Sequence, residues 1–206
     1  MIPRVVVDVQ HAFRGGRHAN DRGAVFVRSN GLKVSEVDLA LEYAKAIADE
    51  LRSRGRAEVL VNNPSTGLFC GPYQRRQESA NRMGAAAYLA CHVNAGRGSY
   101  ARIGFTAARS IGLANEIRGS IEDWFGDTLS SVQVKPIAQT DRGSVCVRFA
   151  TCPAVLLEPF FGDNPLHLAD LGSAMGLRDL GHLVGAGVLR WWEALPVRLT
   201  PAAPVA

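Results

Sequence analysis

Residues 86–95 read AAYLACHVNA, an apolar run interrupted only near its end by a histidine, His92. A run of this kind is typical of a central β-strand that is buried on both faces. Open α/β sheets bind their ligands at the carboxyl ends of such strands, which is where His92 would lie. A lone histidine in that place more often packs against its neighbours or caps the strand. Its role therefore depends on what other strands bring to the same edge.

Two further apolar runs also lead into ionisable residues. RVVVDV at residues 4–9 is followed by His11, and AVLL at residues 154–157 is followed by Glu158. Segments with helical periodicity alternate with the predicted strands, and this alternation indicates a mostly parallel sheet with helices on both faces. Because parallel strands end at the same edge of a sheet, His11, His92 and Glu158 are expected to converge there.

A second carboxylate is expected at this edge, at the start of a helix. Ser35 is a good N-cap with Asp38 at the third helical position, and apolar residues then recur at helical spacing up to a closing glycine, Gly55. Glu36 is the first residue of this helix, where the helix dipole alone would favour an acidic side chain. The helix follows a long, polar, glycine-rich loop over residues 12–31, so Glu36 can reach the edge where the strands end.

Two imidazoles and two carboxylates at one sheet edge are the groups that a zinc hydrolase uses. Such enzymes hold zinc through three protein ligands, for example two histidines and a glutamate, and leave a position for water. The remaining carboxylate can take a proton from that water and pass it to a leaving amine. The strand ends and the helix start together therefore predict a hydrolytic metal site.

Length and composition predict a single globular domain. The chain has 206 residues, of which 47% are hydrophobic and 20% are charged. These values are typical of a soluble protein with a full three-layer core. The domain is expected to cover residues 1–195, and the Pro/Ala-rich residues 196–206 are expected to form a flexible tail.

Charge and hydropathy limit which binding partners and which cellular location are expected for the protein. No apolar run approaches the ~18 residues that span a bilayer, so no membrane insertion is expected. The net charge is +4, but the basic residues do not form a cluster, and no aromatic residues are spaced as they are for stacking on bases. Both observations argue against nucleic acid as the main partner. The first residues lead directly into the first predicted strand. This indicates synthesis in the cytoplasm without a signal peptide.

Three minor expectations concern the remaining segments. The four cysteines show no C-x-x-C spacing and are expected to be free thiols, with Cys91 and Cys152 buried. Residues 132–138 contain a proline and are expected to be extended at a sheet edge, and residues 145–149 are also expected to be extended. His18, in the long first loop, is expected to face solvent and not to bind the metal.

Several short motifs follow one another along the chain and match a known pattern. They are DVQHA at residues 8–12, DRGA at 21–24, the helix opened by Glu36, RQESAN at 76–81, CHVN at 91–94 and PAVLLEPFFGDN at 153–164. In this order the chain resembles the zinc-dependent N-acetylmuramoyl-L-alanine amidases of the Amidase_3 type. The family pattern has a D-P-G-H-G-G turn, a D-x-G-A element, a helix opened by glutamate, then R-x-x-x-A-N, S-x-H-x-N and P-x-x-L-x-E-x-G-F-x-x-N.

The resemblance implies a fold, a reaction and a role for each residue. The implied fold is a three-layer α/β/α sandwich with a roughly six-stranded sheet. His11, Glu36 and His92 would bind one Zn²⁺. Glu158 would be the catalytic carboxylate, acting first as a base and then as an acid towards the leaving amine. The implied reaction hydrolyses the amide between N-acetylmuramic acid and L-alanine of the peptidoglycan stem peptide.

The chain departs from the family pattern beside two of these residues. The turn around His11 lacks the family's proline and glycines, so its backbone must differ. After the catalytic glutamate, Pro159 and Phe160 stand where the family pattern has x-G, and Pro159 removes a backbone N–H and fixes φ. All four chemical residues are nevertheless present, so an active enzyme is expected.

The expected biological setting follows from the absence of an export signal and of a wall-binding module. The chain is expected to be a lysin of a phage, prophage or phage-like particle. It would be released through a holin or delivered with the particle, and would then act on the cell wall. Two alternatives stay open. One is a zinc metallopeptidase of related fold, and the other is a non-catalytic structural component of a particle.

Overall fold

The computed structural model describes residues 3–11, 21–55, 57–62, 71–125 and 127–196. Eight strands lie within these ranges: β1 (Arg4–Val9), β2 (Val25–Val27), β3 (Lys33–Ser35), β4 (Glu58–Asn62), β5 (Ala87–Cys91), β6 (Ala101–Phe105), β7 (Val132–Pro136) and β8 (Ala154–Glu158). Five α-helices accompany them: α1 (Glu36–Ser53), α2 (Tyr73–Arg82), α3 (Ile111–Phe125), α4 (Pro165–Ala169) and α5 (Ala174–Ala194). Short 3₁₀ segments occupy Ala108–Ser110 and Arg142–Cys146.

Six of the strands form one sheet in the order β4-β1-β5-β8-β6-β7. Strands β4, β1, β5 and β8 run parallel to one another. Strand β6 is antiparallel to β8, and β7 is parallel to β6. The prediction of a mostly parallel, six-stranded sheet is confirmed, and the proline-containing strand β7 lies at the edge as expected. Parallel alignment brings the carboxyl ends of β1, β5 and β8 to one edge.

Alternate residues of the central strands face two separate layers of helices, because side chains along a strand point to opposite faces in turn. One face carries Val5, Val7, Leu89 and Leu157, which pack with apolar residues of α1, α3 and α5. The opposite face carries Val6, Tyr88, Ala90 and Leu156, which pack with α2 and the Arg142–Cys146 segment. The molecule is therefore the expected three-layer α/β/α sandwich.

Helix α1 begins as the sequence predicts. The Ser35 side chain accepts a hydrogen bond from the backbone N–H of Asp38, and the Asp38 carboxylate accepts one from the backbone N–H of Ser35. This reciprocal capping fixes the first turn. Glu36 is consequently held at the start of the helix.

Helix α5 packs against both α1 and α3, and glycines allow the close approach. A Cβ atom at Gly181 would overlap the Tyr43 carbonyl oxygen and the Ala46 side chain of α1. A Cβ atom at Gly187 would lie 2.7 Å from Cα of Ile117 in α3. Real Cβ atoms do not approach backbone atoms this closely, so glycine is required at both positions.

Residues 145–149 are not extended, so that prediction is wrong. The 3₁₀ segment Arg142–Cys146 runs into a turn. Gln77 of α2 donates a hydrogen bond to the Val145 carbonyl at 2.8 Å and accepts one from the Phe149 N–H at 2.8 Å. These bonds satisfy backbone groups that a strand would pair with a neighbouring strand.

The long first loop contains an element that the sequence did not predict. Strands β2 and β3 form a two-stranded antiparallel hairpin directly before α1. Residues 12–20, including His18, lie outside the described residues. The expected tail beyond residue 196 also lies outside them.

The described cysteines are free, and Cys91 and Cys152 are buried as predicted; Cys146 is buried as well. Cys70 is outside the described residues. Among the described helices, none has the length and apolar character required to cross a membrane.

Candidate metal centre

The strand register brings three of the four expected site residues towards one edge. Val9 pairs with Cys91 and Cys91 pairs with Leu157 in the parallel ladders. The ladder continues one step further, because the backbone N–H of Gln10 bonds to the Cys91 carbonyl and that of His92 bonds to the Leu157 carbonyl. His92 therefore follows β5 beside the end of β8, where Glu158 lies.

Glu36 occupies the centre of the site and contacts both histidines. Its Oε1 lies 2.9 Å from His92 Nδ1 and accepts a hydrogen bond from the Val93 N–H at 3.2 Å. Its Oε2 lies 3.6 Å from His11 Nε2 and accepts a hydrogen bond from the Ala24 N–H at 3.1 Å. Burial alone would raise the pKa of Glu36, but His92 and these other partners hold that pKa below its usual value.

Gly23 makes the close approach of Glu36 to the first loop possible. Its φ is +68°, and a Cβ atom there would overlap Glu36 Oε2 and lie 2.8 Å from Glu36 Cβ. Glycine adopts this left-handed conformation without steric cost and leaves room for the carboxylate. The DRGA motif thus acts as a backbone cradle for Glu36.

His11 presents its other ring nitrogen to a second carboxylate. Its Nδ1 lies 3.1 Å from Asp21 Oδ2, and Asp21 Oδ1 accepts a hydrogen bond from the Gly23 N–H at 2.9 Å. Because Asp21 takes Nδ1, the lone pair of a neutral His11 ring is on Nε2, on the Glu36 side. The backbone of His11 is left-handed, with φ of 69°.

His92 is buried between Glu36 on one side and Gln10 with Cys146 on the other. Its Nε2 lies 2.8 Å from Gln10 Oε1 and 3.7 Å from Cys146 Sγ. Burial lowers the pKa of His92, but the Cys146 sulfur and the Glu36 carboxylate outweigh it and raise that pKa to about 10. The carboxylate of Glu36 therefore favours the protonated form of the His92 ring, and a cation at this site competes with a proton.

The donor set of His11, Glu36 and His92 fits a zinc ion. Each residue offers one ligand atom, and these atoms all lie within 4.8 Å of one another. Two imidazoles and a carboxylate are a known set of protein ligands for catalytic zinc. In each histidine, the nitrogen that faces away from Glu36 has its own partner, as is usual for metal-binding histidines. Among the described residues, this group can therefore hold a metal.

Glu158 lies beside this group without belonging to it. Its Oε2 is buried and makes no hydrogen bond to any described residue, while Arg102 Nη1 of the neighbouring strand is 3.6 Å away. Burial raises the pKa of Glu158 above its usual value, although the positive charges of His92 and Arg102 act in the opposite direction. A carboxyl group with a raised pKa, and with an oxygen that makes no hydrogen bond to the described residues, is suited to proton transfer.

Three residues around the site were missed by sequence reasoning. Tyr73, at the start of α2, places its ring edge-to-face to both His11 and His92, with centroids 6.3 and 6.4 Å apart. Gln10 and Asp21 bind the outer nitrogens of the two histidines. Asp21 could have been found from the DRGA motif, since a carboxylate there can serve a histidine, whereas nothing in the sequence places Tyr73 at the site.

Two other residues of the sequence motifs, Arg76 and Asn94, have structural contacts near the site. Arg76 is fully buried and forms an ion pair with Asp8 at 2.9 Å, so it is part of the interior. Asn94 extends the strand edge through a bridge to Phe161, and its side chain accepts a hydrogen bond from the Ala95 N–H.

Comparison with known proteins identifies a family and a fold. A family model, Amidase_3, described as N-acetylmuramoyl-L-alanine amidase, matches residues 5–190. No curated protein matches the sequence significantly. Among solved structures, the N-acetylmuramoyl-L-alanine amidase AmiC2 of Nostoc punctiforme has a TM-score of 0.74 at 21% identity, covering 93% of this chain and 97% of that one.

Two other solved structures show the same fold. The catalytic domain of CwlV, an N-acetylmuramoyl-L-alanine amidase from Bacillus (Paenibacillus) polymyxa var. colistinus, has a TM-score of 0.74 at 20% identity, covering 94% of this chain and 100% of that one. The catalytic domain of the CD27L endolysin, which targets Clostridia difficile, has a TM-score of 0.62 at 16% identity, covering 91% of this chain and 97% of that one.

Proposed function

Because the chain belongs to the Amidase_3 family of N-acetylmuramoyl-L-alanine amidases, we propose that it cleaves peptidoglycan with one zinc ion held by His11, Glu36 and His92. The bond broken is the amide between the lactyl group of N-acetylmuramic acid and L-alanine of the stem peptide. The observation that carries this proposal is the convergence of the three donor atoms within 4.8 Å of one another.

In this proposal the metal supplies Lewis-acid chemistry and a side chain of the protein transfers the proton. When bound, zinc supplies a Lewis acid that polarises the scissile carbonyl and lowers the pKa of a water molecule. Glu158 takes a proton from the attacking water onto its carboxylate and then delivers it to the leaving nitrogen of L-alanine. Its raised pKa supports both steps, because a carboxyl group that is harder to ionise is a stronger base and still returns its proton to an amine.

The remaining residues of the site hold these groups in place. Asp21 fixes the ring of His11, and the backbone N–H groups of Ala24 and Val93 fix the carboxylate of Glu36. Residues that hydrogen-bond to the ligands of a metal keep those ligands in a fixed orientation, and in this way they support catalytic metal sites. Arg102 holds a positive charge near Glu158 and limits the rise of its pKa.

Digestion of purified sacculi tests the reaction. New amino-terminal L-alanine without new reducing sugar ends is the expected product, and intact links between muramic acid and peptide would refute the amidase proposal. Cleavage inside the stem peptide would identify a metallopeptidase. The absence of both turnover and zinc would identify a structural component.

The variant Glu158→Gln tests the assignment of the proton carrier. It is expected to retain zinc and to lose about 10²–10⁴-fold in turnover, the usual contribution of general acid–base catalysis. Glu122→Gln is the matched control, since Glu122 is a glutamate of α3 that pairs with Arg118 at the surface. Unchanged turnover in Glu158→Gln would show that another residue moves the proton.

We further propose that the enzyme acts as a lysin of a phage, prophage or phage-like particle, either released through a holin or carried by the particle. The fold shared with the CD27L endolysin domain supports this setting. Expression inside a susceptible bacterium together with a holin should lyse the culture, and Glu158→Gln should not. Failure of the active protein to lyse such cells, when it digests their isolated walls, would refute a lysin role.

A further inference from the structure

Gln10 is a fully buried polar residue that the proposed chemistry does not use. It follows β1 on the face of the sheet that carries Asp8, because alternate residues share a face. Its side-chain oxygen Oε1 lies 2.8 Å from Nε2 of His92. The other ring nitrogen of His92, Nδ1, faces Glu36 Oε1 at 2.9 Å. Gln10 thus contacts the side of His92 that is opposite to the candidate metal position.

The orientation of the Gln10 amide is determined by its other neighbours. Its Nε2 group lies 3.1 Å from the Cys146 carbonyl oxygen, 3.3 Å from Asp8 Oδ2 and 3.4 Å from the Tyr88 hydroxyl. A carbonyl oxygen and a carboxylate can only accept hydrogen bonds, so the NH₂ group must point towards them. The Gln10 oxygen must therefore point towards His92, and a flipped amide would place oxygen against oxygen.

Asp8 is itself locked, so the amide cannot rotate to accommodate a different partner. Its carboxylate forms a fully buried ion pair with Arg76 at 2.9 Å and accepts a hydrogen bond from the Tyr88 hydroxyl. An ionised aspartate in this position accepts hydrogen bonds and cannot donate one to Gln10. The buried chain of Arg76, Asp8 and Gln10 ends at His92 Nε2.

We propose that Gln10 is a positioning residue that keeps a proton on Nε2 of His92 and so directs Nδ1 to the metal. The inference rests on the metal site of the proposed function. An oxygen acceptor at Nε2 requires a proton there, which leaves the Nδ1 lone pair as the ligand. His11 is arranged in the opposite sense, with Asp21 at Nδ1 and Nε2 facing Glu36. The two histidines therefore bind through different ring nitrogens.

The acceptor for His92 Nε2 comes from a position at which the family pattern offers no side chain. In the D-P-G-H-G-G pattern, the residue before the histidine is glycine, which has no side chain to offer an acceptor. Here that residue is Gln10, in DVQHA. The side chain at this position thus offers an acceptor to the histidine that follows the neighbouring strand.

Zinc-loaded protein provides a direct test. Long-range ¹H–¹⁵N spectra of the wild type should show His92 with its proton on Nε2 and its metal bond on Nδ1. The variant Gln10→Met keeps the volume but replaces the amide oxygen with a thioether sulfur, which is only a weak acceptor. It should lower zinc affinity about 10–100-fold in a chelator competition, and the His92 Nε2–H signal should broaden or exchange faster.

Gln77→Met is the matched control. Gln77 is a fully buried glutamine that packs on the same face of the sheet, and its amide bonds backbone groups of Val145 and Phe149 without contacting His92. This variant should lower the free energy of unfolding and leave zinc affinity and the His92 signal as in the wild type. Equal losses of zinc affinity in the two variants would overturn the proposal, because they would reflect general loosening of the layer.

The spectrum of the wild type tests the role of Gln10 even if Gln10→Met does not fold. A proton on Nδ1 of His92 in the zinc-loaded wild type would overturn the role of Gln10 and leave the amidase proposal intact. Failure of the wild type to bind zinc would instead overturn the metal site, and the role of Gln10 with it. The two failures are therefore distinguishable.

Discussion

Replacing Gly23 with alanine should damage the candidate metal centre more than the fold around it. Gly23 has φ of +68°, and the new Cβ would overlap Glu36 Oε2 and lie 2.8 Å from Glu36 Cβ and 2.9 Å from Glu36 Cδ. The carboxylate is held from both sides, by the Ala24 N–H and by His92. It cannot move away from the methyl group without breaking one of these contacts.

The expected loss has two parts. The left-handed backbone costs an alanine about 1–2 kcal/mol. Forcing an extra methyl group into a packed site costs about 1–3 kcal/mol more. The free energy of unfolding of the metal-free protein should therefore fall by about 2–5 kcal/mol. Zinc affinity should fall about 10–100-fold, because the group that orients a ligand has been displaced.

Gly84→Ala measures the first part alone, so the difference between the two variants gives the second part. Gly84 has φ of +67°, and a Cβ atom there would meet no other atom within 4 Å. This control carries the same backbone strain and should lose about 1–2 kcal/mol with no change in zinc affinity. Urea unfolding in the presence of chelator measures the stabilities without a contribution from bound metal. Equal stability losses in the two variants, with wild-type zinc affinity in Gly23→Ala, would refute the role assigned to the cradle.

Two further predictions concern charges away from the metal donors. Arg76→Met should lower the free energy of unfolding by about 3–5 kcal/mol, because it leaves the carboxylate of Asp8 in the interior without its ion pair; a loss below about 1 kcal/mol in urea unfolding would contradict this. Burial alone would raise the pKa of Asp163, but the N–H groups of Gly96 and Arg97 hold it below its usual value of 3.8. The resulting stabilisation is present above the unfolded pKa and is lost as pH falls through the folded pKa. Unfolding of Asp163→Asn between pH 2 and 6 should lack this part of the pH dependence, and a curve parallel to that of the wild type would exclude it.

Much of the fold follows from local pattern, and the exceptions have physical causes. Buried runs such as residues 86–95 have few alternatives to a central strand, and Ser35 with Asp38 defines a helix start unambiguously. The reversal of β6 was missed because an apolar run does not reveal its direction. The connection from β5 to β6 did hold that information, because residues 92–100 are too few for the helical crossover that joins two parallel strands of one sheet.

The extended conformation expected for residues 145–149 failed for a different reason. The run is apolar enough for a strand, but a strand needs a neighbour for its backbone. Gln77, which lies far away in sequence, provides hydrogen bonds to Val145 and Phe149 in place of that neighbour. A tertiary contact of this kind leaves no trace in local composition.

In the candidate site, too, the residues placed by local pattern were predictable and those placed by tertiary contacts were not. His11, Glu36 and His92 were recognisable because each follows a strand or opens a helix, and the structure brings their donor atoms together. The partner of His92 was not recognisable. Gln10 appears in the sequence only as a departure from the family turn, and its orientation depends on the Cys146 carbonyl, which comes from a segment whose conformation was predicted wrongly.

The position of α5 has a consequence for the order in which the protein becomes active during synthesis. Glu36 opens α1, and α1 packs against β1 and β4 and, through the contact at Gly181, against α5. Helix α5 is the last element of the described chain, so α1 lacks one of its packing partners until residues 174–194 have left the ribosome. Domains fold as units once their chain is complete. The candidate metal centre is therefore expected to assemble only near the end of translation, and a nascent fragment ending before α5 should have neither ordered Glu36 nor wall-degrading activity.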